Sequence, residues 1–339
     1  MPILSCGFEA GDLAYYTNLG WRANGTPTID QQFVHRDDYG YGGDFSVKTT
    51  DGGGVYCPKI PESETPRWLH CWIYTEDTSW LYGWNIAFVD ADLTTHITVR
   101  IEPTGYIQIR RGNWGGTLLA TSSNALTIDP NGKGFWLAIE VVIANSGGIV
   151  NVYVSGETPS PYVSYSGDTQ NGGRATWNRF GYNEETGLIG YIDDIIITDV
   201  TEGQKTEKFL KRMFMAGDGT TAFTPSSGSD NWPNVQSYDT DTYNYTGSAT
   251  TSDLYTVDPS PKLGTIDYIA VEGLIAGKNS FEAQVALKSN ITTVYGTLTP
   301  VTSYYQPIPT EFWDEDPDTS SAWTEAGAKA MQVGLRTGT

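Results

Sequence analysis

Tyr191-Ile192-Asp193-Asp194-Ile195-Ile196-Ile197-Thr198-Asp199 is the stretch that decides the fold. Ile192 and the run Ile195 to Ile197 are β-branched, and such side chains fit a pleated sheet better than a helix. So dense an apolar run predicts a strand buried on both faces. Gly187 and Gly190 precede it, and a polar, charged stretch follows Asp199. A closing strand of a β-sandwich pairs with the opening strand of the same sheet. Ile3-Leu4-Ser5-Cys6-Gly7-Phe8-Glu9 is the candidate opening strand. Residues 1–200 are therefore expected to close on themselves as one domain.

Between these ends, strand-like runs recur at short spacing. Trp68 to Tyr74 alternates weakly, and Asn85 to Val89 is apolar. In His96 to Ile101, Ile97, Val99 and Ile101 share one face. Gly105 to Arg110 repeats the alternation after Pro103-Thr104-Gly105, which predicts a hairpin. Trp136 to Ile143 reads as a central strand, and Val150, Val152 and Val154 line one face of the next. About a dozen short strands separated by turns indicate an antiparallel sandwich.

Composition agrees with an all-β chain: 38 glycines, 21 tyrosines and 11 tryptophans in 339 residues. The formal net charge is −20, with 11 basic and 23 acidic side chains in residues 1–200 and 9 and 17 in the remainder. Both halves would repel a phosphate backbone, so no nucleic-acid partner is expected. Without a basic n-region or a long apolar run, neither a signal peptide nor membrane insertion is expected. Cys6, Cys57 and Cys71 read as small core residues of a protein made in a reducing cytoplasm, with a Cys57–Cys71 bridge as the alternative.

Residues 201–212 are polar with alternating charges and read as a linker or short helix. Beyond them lies a smaller β-rich domain, 213–339. Asp218 to Ser248 is polar and dotted with Trp232, Tyr243 and Tyr245; strand candidates resume at Tyr268 to Glu272, Ser280 to Leu287 and Thr292 to Leu298. The one helix signal opens at Ser320-Ser321-Ala322-Trp323-Thr324-Glu325, with a serine N-cap, alternating alanines and Gly334 as the stop. This half holds too little apolar sequence for a generous core of its own, which makes Trp232, Tyr243, Tyr245 and Trp323 candidate interface residues.

Gly7-Phe8-Glu9, Gly43 to Val47, the hairpin ending Arg110-Arg111-Gly112, Trp136 to Val141, Gly148 to Val154 and Gly190 to Asp199 follow one another in an order that resembles the concanavalin A-like jelly roll in its laminin-G-like form. Gly217 to Thr221, Asn231-Trp232 and Val235, and Asp316-Pro317-Asp318 before Ala322-Trp323-Thr324 are similar to segments that accompany this fold in structural proteins of tailed bacteriophages. The resemblance implies a non-enzymatic virion protein made in the bacterial cytoplasm. The first role is capsid decoration by a homo-oligomer, a trimer among the options. The second is a tail or baseplate appendage that binds host surface glycans through the jelly roll. A free lectin or glycan-cleaving enzyme is the third. Partners on this reading are phage capsid or tail proteins.

Glycosidases on this fold use paired carboxylates about 5–5.5 Å apart for retention. The resembling glucanases carry them as Glu-x-Asp-x-x-Glu, a spacing this sequence lacks. The adjacent Asp193 and Asp194 point to opposite faces of a strand, and one of them is expected to cap a loop backbone. His35, His70 and His96 share no metal-ligand spacing. No catalytic residue and no required cofactor is assigned; Asp90 and Asp92 are weak calcium candidates. Aromatics remain as glycan-stacking candidates: Trp80, Tyr82 and Trp84 alternate on one strand face, and Tyr39, Tyr41 and Trp114 sit in Gly-rich loops, with Asn113 and Asp90 as partners for sugar hydroxyls. Packing in the sandwich core or at a subunit interface is the competing reading for these aromatics, Trp80, Tyr82, Trp84 and Trp114 included.

Overall fold

The computed structural model describes residues 2–7, 17, 21–31, 46–50, 52–61, 65–75, 83–102, 104–126, 134–154, 160–184, 189–199, 210, 213–235, 243–261, 263–276, 281–301 and 306–338. The chain divides into two compact units, Met1–Lys211 and Arg212–Thr339.

In the first unit the described strands are β1 (Pro2–Cys6), β2 (Arg22–Asn24), β3 (Thr28–Asp30), β4 (Ser46–Thr50), β5 (Gly54–Tyr56), β6 (Trp68–Thr75) and β7 (Trp84–Val89). They continue with β8 (Thr95–Ile101), β9 (Tyr106–Arg111), β10 (Thr117–Ala125), β11 (Phe135–Val142), β12 (Gly148–Val154), β13 (Val163–Gly167), β14 (Arg179–Glu184) and β15 (Ile189–Thr198). One antiparallel sheet runs β13-β12-β11-β6-β15-β4-β3, with β1 also on β15. The facing sheet runs β10-β9-β8-β7-β14-β5-β2. The result is an all-β jelly-roll sandwich.

Strand β15 is buried on both faces, as the isoleucine run predicts. It lies between β6 and β4 and also receives β1, with Leu4 opposite Ile197 and Cys6 opposite Ile195. The two ends of the unit are thus neighbours. The register of β15 against β6 shifts between Asp193 and Ile196, and Asp194 adopts φ +47 there. Both carboxylates are buried, and Asp194 Oδ1 accepts the Leu210 N–H at 2.9 Å. The expected loop-capping aspartate is therefore Asp194. Leu210, from the stretch read as a linker, also packs on the sheet beside Trp72, Tyr74, Trp136, Tyr191 and Ile196.

Alternation in β6 separates two environments. Leu69, Cys71 and Ile73 face the sandwich core, while Trp68, His70, Trp72 and Tyr74 line the other side. That second side carries an aromatic ladder, with Trp68 stacked on His70 at 5.9 Å and Trp72 on Tyr74 at 6.0 Å. All three cysteines are buried and none forms a disulfide; burial pushes the Cys57 thiol up to about 12, so it is an inert core group.

The second unit is built on β16 (Met215–Asp218), β17 (Thr224–Pro225), β18 (Asn244–Tyr245), β19 (Ser252–Val257), β20 (Ile269–Ile275), β21 (Phe281–Ser289), β22 (Thr292–Tyr295), β23 (Thr299–Val301), β24 (Gln306–Trp313), β25 (Glu315–Asp316), β26 (Ser321–Ala322) and β27 (Gln332–Thr337). Its main sheet runs β16-β19-β27-β21-β22, with β23 also on β21. Contrary to the composition-based expectation, it has a core of its own, in which Val285, Leu287, Ile308, Trp323 and Met331 are buried together.

Two details of the helix differ from expectation. The helix α1 (Glu325–Ala330) is capped by Thr324, whose Oγ1 accepts the Gly327 N–H at 3.0 Å, rather than by a serine. Gly334 lies inside β27, where a Cβ would come within 1.9 Å of the Asp253 carbonyl oxygen. The glycine serves close strand packing and does not stop the helix. No helix among the described residues is long and apolar enough to cross a membrane.

Candidate functional site

The outward face of the β10-β9-β8-β7-β14-β5-β2 sheet carries the site. Core residues of these strands (Ile107 and Ile109; Ile97, Val99 and Ile101; Trp84, Ile86 and Phe88; Phe180 and Tyr182) are fully buried. Alternation places the residues between them on the opposite side. In register across the seven strands they read Thr121, Gln108, Arg100, Asn85, Asn183, Gly54 and Asn24. The next row reads Leu118, Arg110, Thr98, Ala87, Gly181, Tyr56 and Arg22. Seven strands at 4.7–4.9 Å spacing make each row of this strip roughly 29 Å long.

Side chains on this strip are held in place. Arg110 donates from Nε to Gln108 Oε1 at 2.8 Å and from Nη1 to the Gly116 carbonyl at 3.0 Å. Arg100 pairs with Glu102 at 3.2 Å. Tyr56 lies flat on Gly181, where any Cβ would meet its ring at 2.3 Å. Asn85 stands between Arg100 and Asn183, is 2% exposed, and neither its amide oxygen nor its nitrogen has a hydrogen-bond partner. An unsatisfied buried amide costs about 1–3 kcal/mol of stability.

The turn between β9 and β10 completes the strip. Asn113 Oδ1 accepts the Gly115 N–H at 3.1 Å, and this turn presents Trp114, which is 56% exposed. The Arg100 guanidinium sits 5.8 Å from the Trp114 ring centre, which brings the ring over the strip. Beside the turn is a shallow depression of about 360 Å³ lined by Thr95, Arg111, Asn113, Thr117 and Asn171. Arg111 is ion-paired with Asp168 at its edge.

Of the sequence-based candidates, the structure places Trp114 and Asn113 beside this strip, although Asn113 Oδ1 is spent on the turn. Trp84 does not: it is fully buried and stacks on Phe135 in the sandwich core, because the alternation that puts it on a strand also turns it inward. Trp80, Tyr82, Tyr39 and Tyr41 lie outside the described residues. Asp90 is also unavailable to sugar hydroxyls. It is fully buried, accepting from the Asp92, Thr94 and Arg174 N–H groups at 2.9, 2.8 and 3.1 Å. Asp92 is ion-paired with Arg174 at 3.1 Å, so a calcium ion would have to displace donors from both carboxylates. No group of three or more His, Cys, Asp or Glu gathers for a metal among the described residues.

Among the interface candidates, Trp323 is a core residue whose indole N–H donates to the Trp313 carbonyl at 2.9 Å. Trp232 is half-buried, in a 3-10 turn spanning Trp232–Val235. Tyr243 and Tyr245 are 46% and 53% exposed, with ring centres 6.3 Å apart. Asn85, Arg100, Gln108 and Arg110 escaped the sequence reading. For Arg100, Gln108 and Arg110 the signal was the polar residue at every second position of His96 to Ile101 and Tyr106 to Arg111, which marks a polar sheet face; Asn85, at the head of the apolar run Asn85 to Val89, had none.

His96, fully buried beside the depression, accepts the Asn171 N–H on Nδ1 and places Nε2 3.3 Å from Asp90 Oδ2. Burial drives its pKa below the usual value of 6.5, against the pull of Asp90. Below about pH 6.5 the unfolded chain therefore binds protons that the folded chain refuses. Stability from this group is full above about pH 6.5 and is lost as pH falls toward the folded value. Denaturant titrations between pH 7.5 and 5 should show this decline, and His96→Gln should flatten it; an equal slope in both proteins would count against it.

No family model matches this chain, and no curated protein matches it. Solved structures with a similar fold include a Bacillus subtilis protein of unknown function with a galectin-like fold, at 11% identity and TM-score 0.40 over 58% of this chain and 94% of that one. A legume lectin-like domain from Entamoeba histolytica aligns at 10% identity and TM-score 0.37, covering 59% of this chain and 98% of that one. A carbohydrate-binding module from Bacillus subtilis aligns at 10% identity and TM-score 0.33, over 53% and 96% respectively. The likeness is one of fold.

Proposed function

We propose that this chain is a glycan-binding protein that takes its ligand on the outward face of the seven-stranded sheet. The carrying observation is Trp114, an exposed ring leaning on Arg100 at the edge of a strip whose rows are mostly polar. Sugars offer an apolar ring face and a rim of hydroxyls. An exposed indole suits the first, and Gln108, Arg100 and Asn183 suit the second. Binding rather than cleavage is the reading, because Glu102 is the carboxylate beside these rows among the described residues, and it is engaged by Arg100. Cleavage by the paired mechanism would need a second.

A tail or baseplate appendage that engages host glycans is the setting this reading favours, with location on the virion as part of the proposal. Capsid decoration has no described residue to speak for it. The test is an array of immobilised neutral and acidic oligosaccharides probed with the whole protein and with Trp114→Ala. The parent should bind and the variant should lose at least tenfold in affinity, about 1.4 kcal/mol. Equal binding by the two proteins would remove Trp114 from the site.

A further inference from the structure

Charge on the outward face runs against the rest of the chain. Residues 1–200 hold 11 basic and 23 acidic side chains. Yet the outward positions of the seven strands carry Arg22, Arg100, Arg110 and Arg179 and no acid among the described residues. Glu102, just past the end of β8, lies 3.2 Å from Arg100 and 4.0 Å from Arg110 and can balance one of them.

From this local reversal of charge we infer that the ligand is an anionic glycan whose sugars carry carboxylates. The inference rests on the glycan-binding reading above. A guanidinium presents a planar fork of donors that matches a carboxylate, and Arg110 is already oriented by Gln108 and the Gly116 carbonyl. The acidic surplus elsewhere does not forbid such a ligand. At physiological salt the Debye length is about 8 Å, so remote carboxylates are screened while arginines in contact are not. Arg100 and Arg110 read the charge, and Trp114 reads the ring.

Calorimetric titration of the whole protein with polygalacturonate, alginate and hyaluronate tests this, with fully methyl-esterified polygalacturonate and dextran as uncharged counterparts. At least one acidic polymer should bind tenfold or more tighter than the uncharged ones, and the preference should shrink between 50 and 500 mM salt. This comparison needs no variant. Arg100→Gln and Arg110→Gln should then reduce the acidic preference, while Trp114→Ala weakens every glycan that binds. Equal affinity for the acid and its ester overturns the inference and leaves glycan binding intact, as does preference for heparin sulfates over all three polyuronates. Binding to neither class overturns the glycan-binding reading and this inference with it.

Discussion

Ile195→Asp is expected to cost the sandwich about 4 kcal/mol or more, a large part of the 5–15 kcal/mol that holds a typical domain together. Ile195 is fully buried opposite Cys6, where the last strand meets the first, next to the register shift at Asp193. Losing the apolar side chain forfeits roughly 1.5–3 kcal/mol of burial. A carboxylate placed there finds no cation and must either be buried charged or take up a proton, both costly. Urea unfolding followed by tryptophan fluorescence reads the loss. A variant within 1 kcal/mol of the parent would place Ile195 outside the core and undo the assignment of β15 as a strand buried on both faces.

Asp253→Ala should be the most damaging polar truncation in the second unit, at about 3 kcal/mol. Asp253 is 1% exposed and gathers donors from three segments. It accepts the Ala222 and Phe223 N–H groups at 2.9 and 3.1 Å, Asn231 Nδ2 at 3.1 Å and the Tyr255 hydroxyl. Truncation leaves the two N–H groups and the Tyr255 hydroxyl without this acceptor, while Asn231 Nδ2 keeps its bond to the Phe223 carbonyl at 2.7 Å; each buried orphan costs about 1–3 kcal/mol before water relieves the outermost. Tyr255 stays a donor throughout, since burial, reinforced by its bond to Asp253, raises its pKa. Faster amide exchange at Ala222 and Phe223, with a lower denaturant midpoint for this unit, is the expected signature. Unchanged exchange at both amides would mean that the loop holds itself.

The consequence for function is local. The same network ties Asn244 to Asn231, because Asn244 Nδ2 also donates to the Asn231 carbonyl at 2.8 Å and to Tyr255 Oη at 2.7 Å. Tyr243 and Tyr245 are thus exposed on either side of an anchored Asn244. Composition alone suggested a half without a sufficient core; the buried set around Val285, Leu287 and Trp323 shows otherwise. Alanines and short strands understate such a core, since Ala283, Ala286 and Ala328 are fully buried but add little to apolar content.

The sequence by itself determined the local pattern. The isoleucines of β15 required burial on both faces. The two-residue period of His96 to Ile101 and Tyr106 to Arg111 specified a hairpin with one dry and one wet face. Both follow from side-chain alternation and β-branching, which act within a few residues. Tertiary structure decided which wet faces meet. Asn85, Arg100 and Gln108 come from one meander, but Asn183 reaches Asn85 only because β14 pairs with β7, and Asn24 and Gly54 follow through β5. It also turned Trp84 into the core and Trp114 over Arg100, two tryptophans that look alike in the sequence. Pairings between distant segments are set by the packing of the whole sandwich, since no short-range propensity distinguishes one antiparallel neighbour from another.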